Sequence, residues 1–528
     1  MAYTATDESH SHLRFYHTGW GKLPRVRTTM PCLDRRNRQT PTWTLLARRA
    51  AGFPLLLSLL LLTGQGAHAQ TSESPVQQDS PEAVASEPSF FTGIWTRSNL
   101  LGDMGGLRTA LGSYGITLGL QETSEVFGNP TGGTRRSAAY DGLTQMSFVL
   151  DMAKGFGWDG GTFNVSALQI HGRNLSAEKL LNLQTISGIE ANRATRLWEL
   201  WYQQPFLAGR ADVKIGQQSI DQEFISSQYS GLFINTMMGW PMVPSADLFA
   251  GGPAYPLSSL GLRLRGQPTA ALTVLAGVFD DNPPGGRFDN DSQLRGAEAA
   301  GAKFNLGTGA LFIGELQYTV NQPALGDLDT GDSAPGLPGT YKLGAWFDTA
   351  AFPDQRFDDT GLSLADPNSS GIARMHRHNF SIYGVVDQVV WRPSPEAQRA
   401  LAVFARLMGA PGDRNLVDFS VNAGASLKSP LPGRDSDTFG VGYGFAKVGG
   451  RASDRDRDTV FFSQSFTPIR SGEHFLEVTY QYQVAPWWQL QPDFQYIVNP
   501  GGGIANPNNP NARLGDATVL GLRTIVTF

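Results

Sequence analysis

The chain is poor in the features that would place it among soluble or helical proteins. It has one cysteine, Cys32, in 528 residues. That cysteine precedes the expected mature start, so a secreted domain stapled by disulfides is excluded. No apolar run after Thr63 approaches the roughly 20 residues that a spanning helix needs. Positive charge is scarce as well. Residues 1–69 hold 9 of the 42 Lys+Arg and 3 of the 47 Asp+Glu, which leaves 33 against 44 and a net charge of −11. A nucleic-acid partner would need clustered excess positive charge and is not expected. No phosphate loop, dinucleotide fingerprint or G-x-S-x-G elbow occurs in a credible context, so neither an enzyme nor a cofactor is read here. Four histidines follow residue 69: His171, His376, His378 and His474. His376 and His378 form an H-x-H pair in what reads as a loop, with no third metal ligand nearby.

What is present begins with an export signal. Arg48 and Arg49 precede the leucine-rich run from Ala50 to Thr63, and Ala67-His68-Ala69 then supplies small residues for a peptidase. Cleavage is expected between Ala69 and Gln70, with Met30 a candidate for the true translation start. Residues 70–93 are polar, Pro-rich and charged, and read as a disordered leader. Residues 94–112 space Leu100, Leu101, Leu107 and Leu111 helically around Gly105-Gly106, which predicts a short broken helix.

From residue 113 to 528 the period changes to two. Met146, Phe148 and Leu150 alternate with Gln145, Ser147 and Asp151. Trp198, Leu200 and Tyr202 alternate with Glu199, Trp201 and Gln203. The same pattern recurs over 260–265, 341–348, 401–407, 476–482 and 488–496. One face is apolar and aromatic, and the other is charged or amide-bearing. With a mean hydropathy of −0.22, a membrane protein of this composition must be a β-barrel, because only alternate residues face lipid. The final strand, Asp516 to Phe528, ends on an aromatic residue and would close the sheet so that no edge remains. Short connections such as 267–269, 307–309 and 484–486 are set against long ones at 172–194, 219–256, 281–298, 349–377, 449–473 and 499–515. Short turns belong on the periplasmic side and long loops outside. Seventeen segments read as strands, while a closed bacterial barrel needs an even number, so sixteen or eighteen is expected. The parity conflict falls between about residues 300 and 380. Asp454-Arg-Asp-Arg-Asp458 reads as a solvated outer loop.

Several segments carry a family resemblance. They are Arg196-Leu-Trp-Glu-Leu-Trp-Tyr-Gln-Gln204, Lys214-Ile-Gly-Gln-Gln218, Gly339 to Asp348, Tyr383 to Gln388 and, above all, Gln481 to Gly501. Together they resemble the carbohydrate-selective porins of the OprB type. The resemblance implies a 16-stranded outer-membrane barrel of a Gram-negative cell, a periplasmic helical segment near the amino terminus, and passive diffusion of small mono- or oligosaccharides. A barrel of this kind would sit among outer-membrane lipid and lipopolysaccharide and reach the barrel-assembly machinery through Phe528. Homotrimer and monomer both stay open. A general non-selective porin, or an adhesin or receptor acting through long loops, are the alternative functions. Sugar recognition needs carboxylates, amides and guanidinium groups beside aromatic faces. The lumen-facing candidates of those types are Glu199, Trp201, Gln203, Arg263, Arg265, Lys342, Trp346, Asp348, Arg406, Glu477, Gln491 and Asp493.

Overall fold

The computed structural model describes residues 92–283, 300–302, 306–321, 336–394 and 397–528. The presequence, its cleavage site at Ala69 and Gln70, and the leader up to residue 91 lie outside the described residues. Sixteen strands form one closed antiparallel barrel, each hydrogen-bonded to its neighbours in sequence order. The ring closes where Ile116–Thr131 pairs with Ala517–Thr527, from Gln121↔Thr527 to Gly128↔Leu520. Val126, Leu520 and Leu522 point outward across this seam and are half exposed, whereas Glu125 and Arg523 meet on the inside. The alternation that closes the sheet therefore also separates lipid from lumen.

The outer wall is an apolar collar. Leu264, Leu316, Leu343, Ile382, Leu407, Leu476 and Leu522 are all at least 40% exposed on strands spread round the ring. Short connections such as 207–210, 267–271 and 486–487 gather at one end, and 173–193, 219–258 and 449–471 lie at the other. The amino-terminal segment packs against the short-turn end. Trp487 Nε1 donates to Ile94 O at 2.6 Å, and Leu100 N donates to Thr527 O at 2.8 Å. Helix forms only over Leu107–Ser113, less than the expected 94–112. Gly102, Met104, Gly105 and Gly106 all take positive φ there, which breaks the helical path.

The conflict of strand parity has a plain origin. Gly307-Thr308-Gly309, read as a short turn, ends the long connection 281–309 between Leu272–Asp280 and Ala310–Val320. It lies at the long-loop end, and among the described residues the barrel has sixteen strands. The H-x-H pair is on strand Ala373–Trp391 and not in a loop. His376 Nε2 meets Asp354 at 2.8 Å, while His378 lies against the Phe347 ring, so the two imidazoles part company. The 454–458 stretch also differs from expectation. It is part of a helix, Gly450–Ser463, because Arg356 grips Asp454 and Asp458 and Arg470 grips Asp456.

Candidate functional site in the lumen

Two outer connections, 173–193 and 219–258, fold into the barrel. Both carry apolar side chains that no solvated loop would need: Leu175, Leu180 and Ile186 from the first, and Phe224, Ile234, Met238 and Val243 from the second. They pack against inward-facing Phe127, Leu311, Trp346, Tyr383, Phe404 and Phe475. The wall makes room for them. Phe439-Gly-Val-Gly-Tyr-Gly-Phe-Ala446 places glycine at successive inward positions, and a Cβ at Gly442 would meet Met238 Cε at 2.7 Å.

Polar wall residues then fix the infolded backbone. Arg406 is 1% exposed and donates to the carbonyls of Ile225, Met237, Met238 and Gly239 at 2.6–3.2 Å. Glu477 accepts from Ile234 N at 2.5 Å and Asn235 N at 3.2 Å. Asp387 accepts from Ser227 Oγ and Gln228 N, and Glu315 from Ile225 N. Gln491 donates to Leu232 O at 2.7 Å, and Lys342 to Ser226 O at 2.8 Å. Glu473 holds the other loop through Leu183 N and Gln184 N. The two loops also join each other through Gly188 N–Ile234 O and Thr236 N–Thr185 O. A buried loop backbone must find partners, and the lumen wall supplies them.

This sorts the sequence-derived candidates. All twelve face inward. Arg406, Glu477, Gln491 and Lys342 bind loop backbone, Trp346 is 2% exposed beneath the loops, and Asp493 accepts from Gln495 beside them. Asp348 is fully buried near the long-loop end and accepts from Ala350 N. Glu199, Trp201, Gln203 and Arg265 remain partly exposed on strands Ala194–Phe206 and Ser259–Gly266, although Glu199 also binds loop backbone, accepting from Ser219 N at 3.1 Å. Arg263 lies among them, 3% exposed, bonded to Asp212 and to Glu223, whose Oε2 is 2.6 Å away. Lys214 pairs with Glu223, and its Nζ sits 4.6 Å from the centre of the Trp201 ring. Arg265 reaches Asp212 at 3.4 Å. Burial opposes ionisation of Glu223, but Lys214 and Arg263 outweigh it and hold that carboxyl below its usual value.

Lys214, Asp212 and Glu223 were missed by sequence reasoning. Asp212 and Lys214 alternate with Val213 and Ile215, a signal that was available in a strand of only eight residues. Glu223 comes from a loop, and no periodicity predicts where a loop side chain lands. One expectation is corrected. Trp198 does not face lipid with Leu200 and Tyr202. A bulge opposite Ser166 sets two residues against one, between Val165↔Leu200 and Ala167↔Leu197, so Trp198 and Glu199 both turn inward. Trp198 is 6% exposed and packs with Leu143, Leu168 and Ile170.

A closed sixteen-strand wall with infolded loops and a mixed-charge inner strip fits a solute channel. The sequence match makes that specific: residues 135–528 match the carbohydrate-selective porin family, OprB. The chain belongs to the OprB family. It is 27% identical to Porin B of Pseudomonas aeruginosa, over 76% of this chain and 87% of that protein. It is 25% identical to the putative porin QuiX of Acinetobacter baylyi, over 80% and 94% respectively. The high-pH structure of Pseudomonas putida OprB superposes with a TM-score of 0.70 at 24% identity, over 82% of this chain and 99% of that one, and shares the fold. As an OprB porin the protein is an outer-membrane channel that passes carbohydrates by diffusion. Porin membership makes it a channel in kind.

Proposed function

We propose that a sugar in transit is held at the strip formed by Glu199, Trp201 and Gln203, with Lys214, Arg263 and Arg265 beside it. The observation that carries this reading is a balance of charge along one strip of the inner wall, of which Glu199, Trp201, Gln203 and Arg265 are partly exposed. Three cations, Lys214, Arg263 and Arg265, stand among three carboxylates, Glu199, Asp212 and Glu223. A balanced lining favours neutral polar solutes over strong ion selectivity. An indole next to a carboxylate offers a pyranose apolar and polar contact at once. Gly216 keeps the neighbouring strand close: it is paired with Trp201 at φ +130, and a Cβ there would meet Leu200 O at 2.3 Å.

Small mono- and oligosaccharides are the solutes this strip suits. The apolar collar suits outer-membrane lipid and lipopolysaccharide. Phe528, whose N–H donates to Leu120 O at the seam, is the residue we assign to recognition by the barrel-assembly machinery. The test is sugar block of single-channel current. Glu199→Ala and Trp201→Ala should each weaken block several-fold, and Glu199→Ala should also move ion preference toward anions. Unchanged block in both variants would move the sugar site elsewhere in the lumen.

A further inference from the structure

The apolar collar is not smooth all round. On four adjacent strands, Leu272–Asp280, Ala310–Val320, Gly339–Asp358 and Ala373–Trp391, its outward face holds a groove of about 560 Å³. That is within the range of roughly 300–1,000 Å³ in which pockets hold a small ligand. Ala276, Gly314 and Ala345 stand side by side in register and form its floor. Phe312, Phe347 and Phe380, also in register and each at least 40% exposed, form the wall nearer the long loops. The barrel itself does not require the glycine. A Cβ at Gly314 would meet only Leu275 O, at 3.9 Å, and glycine inside a strand weakens it. What Gly314 supplies is depth on the outside.

The groove sits toward the long-loop end. Phe312 is two residues from that end of its strand, whereas the outward pair Tyr318 and Tyr341 lies toward the short turns, as a girdle of aromatics does. A cationic rim stands above the groove. His378, at φ +66 in a bulge of its strand, lies against the Phe347 ring with 5.1 Å between centres. Arg377 beside it is exposed, and no acidic group among the described residues pairs with its guanidinium. Arg414 fixes this bulge by donating to Arg377 O at 3.0 Å and His378 O at 2.7 Å. Arg377 comes three residues beyond Phe380, which lifts it roughly 8 Å above the groove on a tilted strand.

We infer that this groove seats an acyl chain of one lipopolysaccharide molecule, whose phosphate lies on Arg377 and His378. The site rests on the reading of the collar as facing lipopolysaccharide and is independent of the sugar strip. Two observations select this occupant. The groove opens at the level of the outer leaflet, where the lipid is a phosphorylated, acylated glycolipid. The unpaired guanidinium stands at head-group height above an apolar groove, and a charge-assisted bond from guanidinium to phosphate is among the stronger hydrogen bonds.

The test uses gently extracted protein, freed of lipid in detergent and titrated with deep-rough lipopolysaccharide under native mass spectrometry. The wild type should bind one molecule saturably. Gly314→Leu, which fills the groove, and Arg377→Gln should each weaken this binding roughly tenfold or more, the effect of losing a buried chain or a hydrogen bond to a charged group. Dephosphorylated lipid A should bind the wild type as weakly as lipopolysaccharide binds Arg377→Gln. Both variants should keep heat-modifiable migration and wild-type conductance, because neither residue faces the lumen. Leu520→Phe, outward at the barrel seam, should bind as the wild type does. Equal binding by the wild type and both variants would leave the collar reading standing and overturn this site. No saturable binding by the wild type would overturn both. Displacement of lipopolysaccharide by phosphatidylglycerol at matched concentration would make the groove an ordinary lipid contact and overturn the proposal as well.

Discussion

Arg406→Met should release the loop 219–258 from the wall without opening the barrel. The guanidinium is buried and donates to four carbonyls of that loop, while methionine keeps much of the length and offers no donor. A hydrogen bond to a charged group contributes roughly 1.5–3 kcal/mol, but four on one side chain do not add, and water in the lumen can take over some acceptors. Removing one partner from a buried charged network costs about 3–5 kcal/mol, and that is the loss we expect for the infolded state. Even about 3 kcal/mol shifts the equilibrium more than a hundredfold. The sheet itself loses no ladder hydrogen bond, so the barrel should still insert and show heat-modifiable migration. In planar bilayers, single-channel conductance and open-channel noise should both rise, and sugar block should weaken. Leu407→Ala, one residue on and facing lipid, should change none of these. If Arg406→Met reproduces the wild-type conductance, noise and sugar block, the loop does not depend on this anchor and the reasoning fails.

Other outcomes follow from the same geometry. Leu200→Ala should leave sugar block unchanged, whereas Leu200→Arg should cost roughly 2–4 kcal/mol of barrel stability near the midplane, read from denaturant unfolding. Trp198→Ala should instead cost about 3–5 kcal/mol through the cavity left among Leu143, Leu168 and Ile170; a neutral effect would remove the bulge from the account. Burial pushes the Glu190 carboxyl in the loop 173–193 up to about 7. The fold favours its neutral form, so this contribution is complete below about pH 4.5 and is lost as pH rises through about 7. Amide exchange in 173–193 should therefore quicken across that window, and Glu190→Gln should flatten the dependence. Deleting Phe528 should lower the yield of inserted barrel and leave the conductance of inserted molecules unchanged.

The barrel was legible because alternation is a local property. Lys342, Trp346 and Asp348 face inward and Tyr341, Leu343 and Phe347 outward, as their spacing demands. Register across a bulge is not local, so Trp198 was turned the wrong way while Glu199, Trp201 and Gln203 were placed correctly. The inner face of the wall was read correctly as polar, but the partners of those polar groups were hidden. Arg406 and Glu477 looked like sugar ligands because nothing in a strand pattern says that a loop folded from 219–258 will cover them. Glu223 reached the strip by the same unreadable route. The 454–458 stretch became helix through ion pairs with Arg356 and Arg470, which lie far from it in the chain or outside it.

Liposome swelling tests the central claim most directly. Vesicles carrying the protein should swell faster in neutral monosaccharides than in zwitterionic amino acids or salts of matched size, without any energy source. Equal rates for all solutes would make the lumen a non-selective pore, and no swelling at all would contradict a diffusion channel.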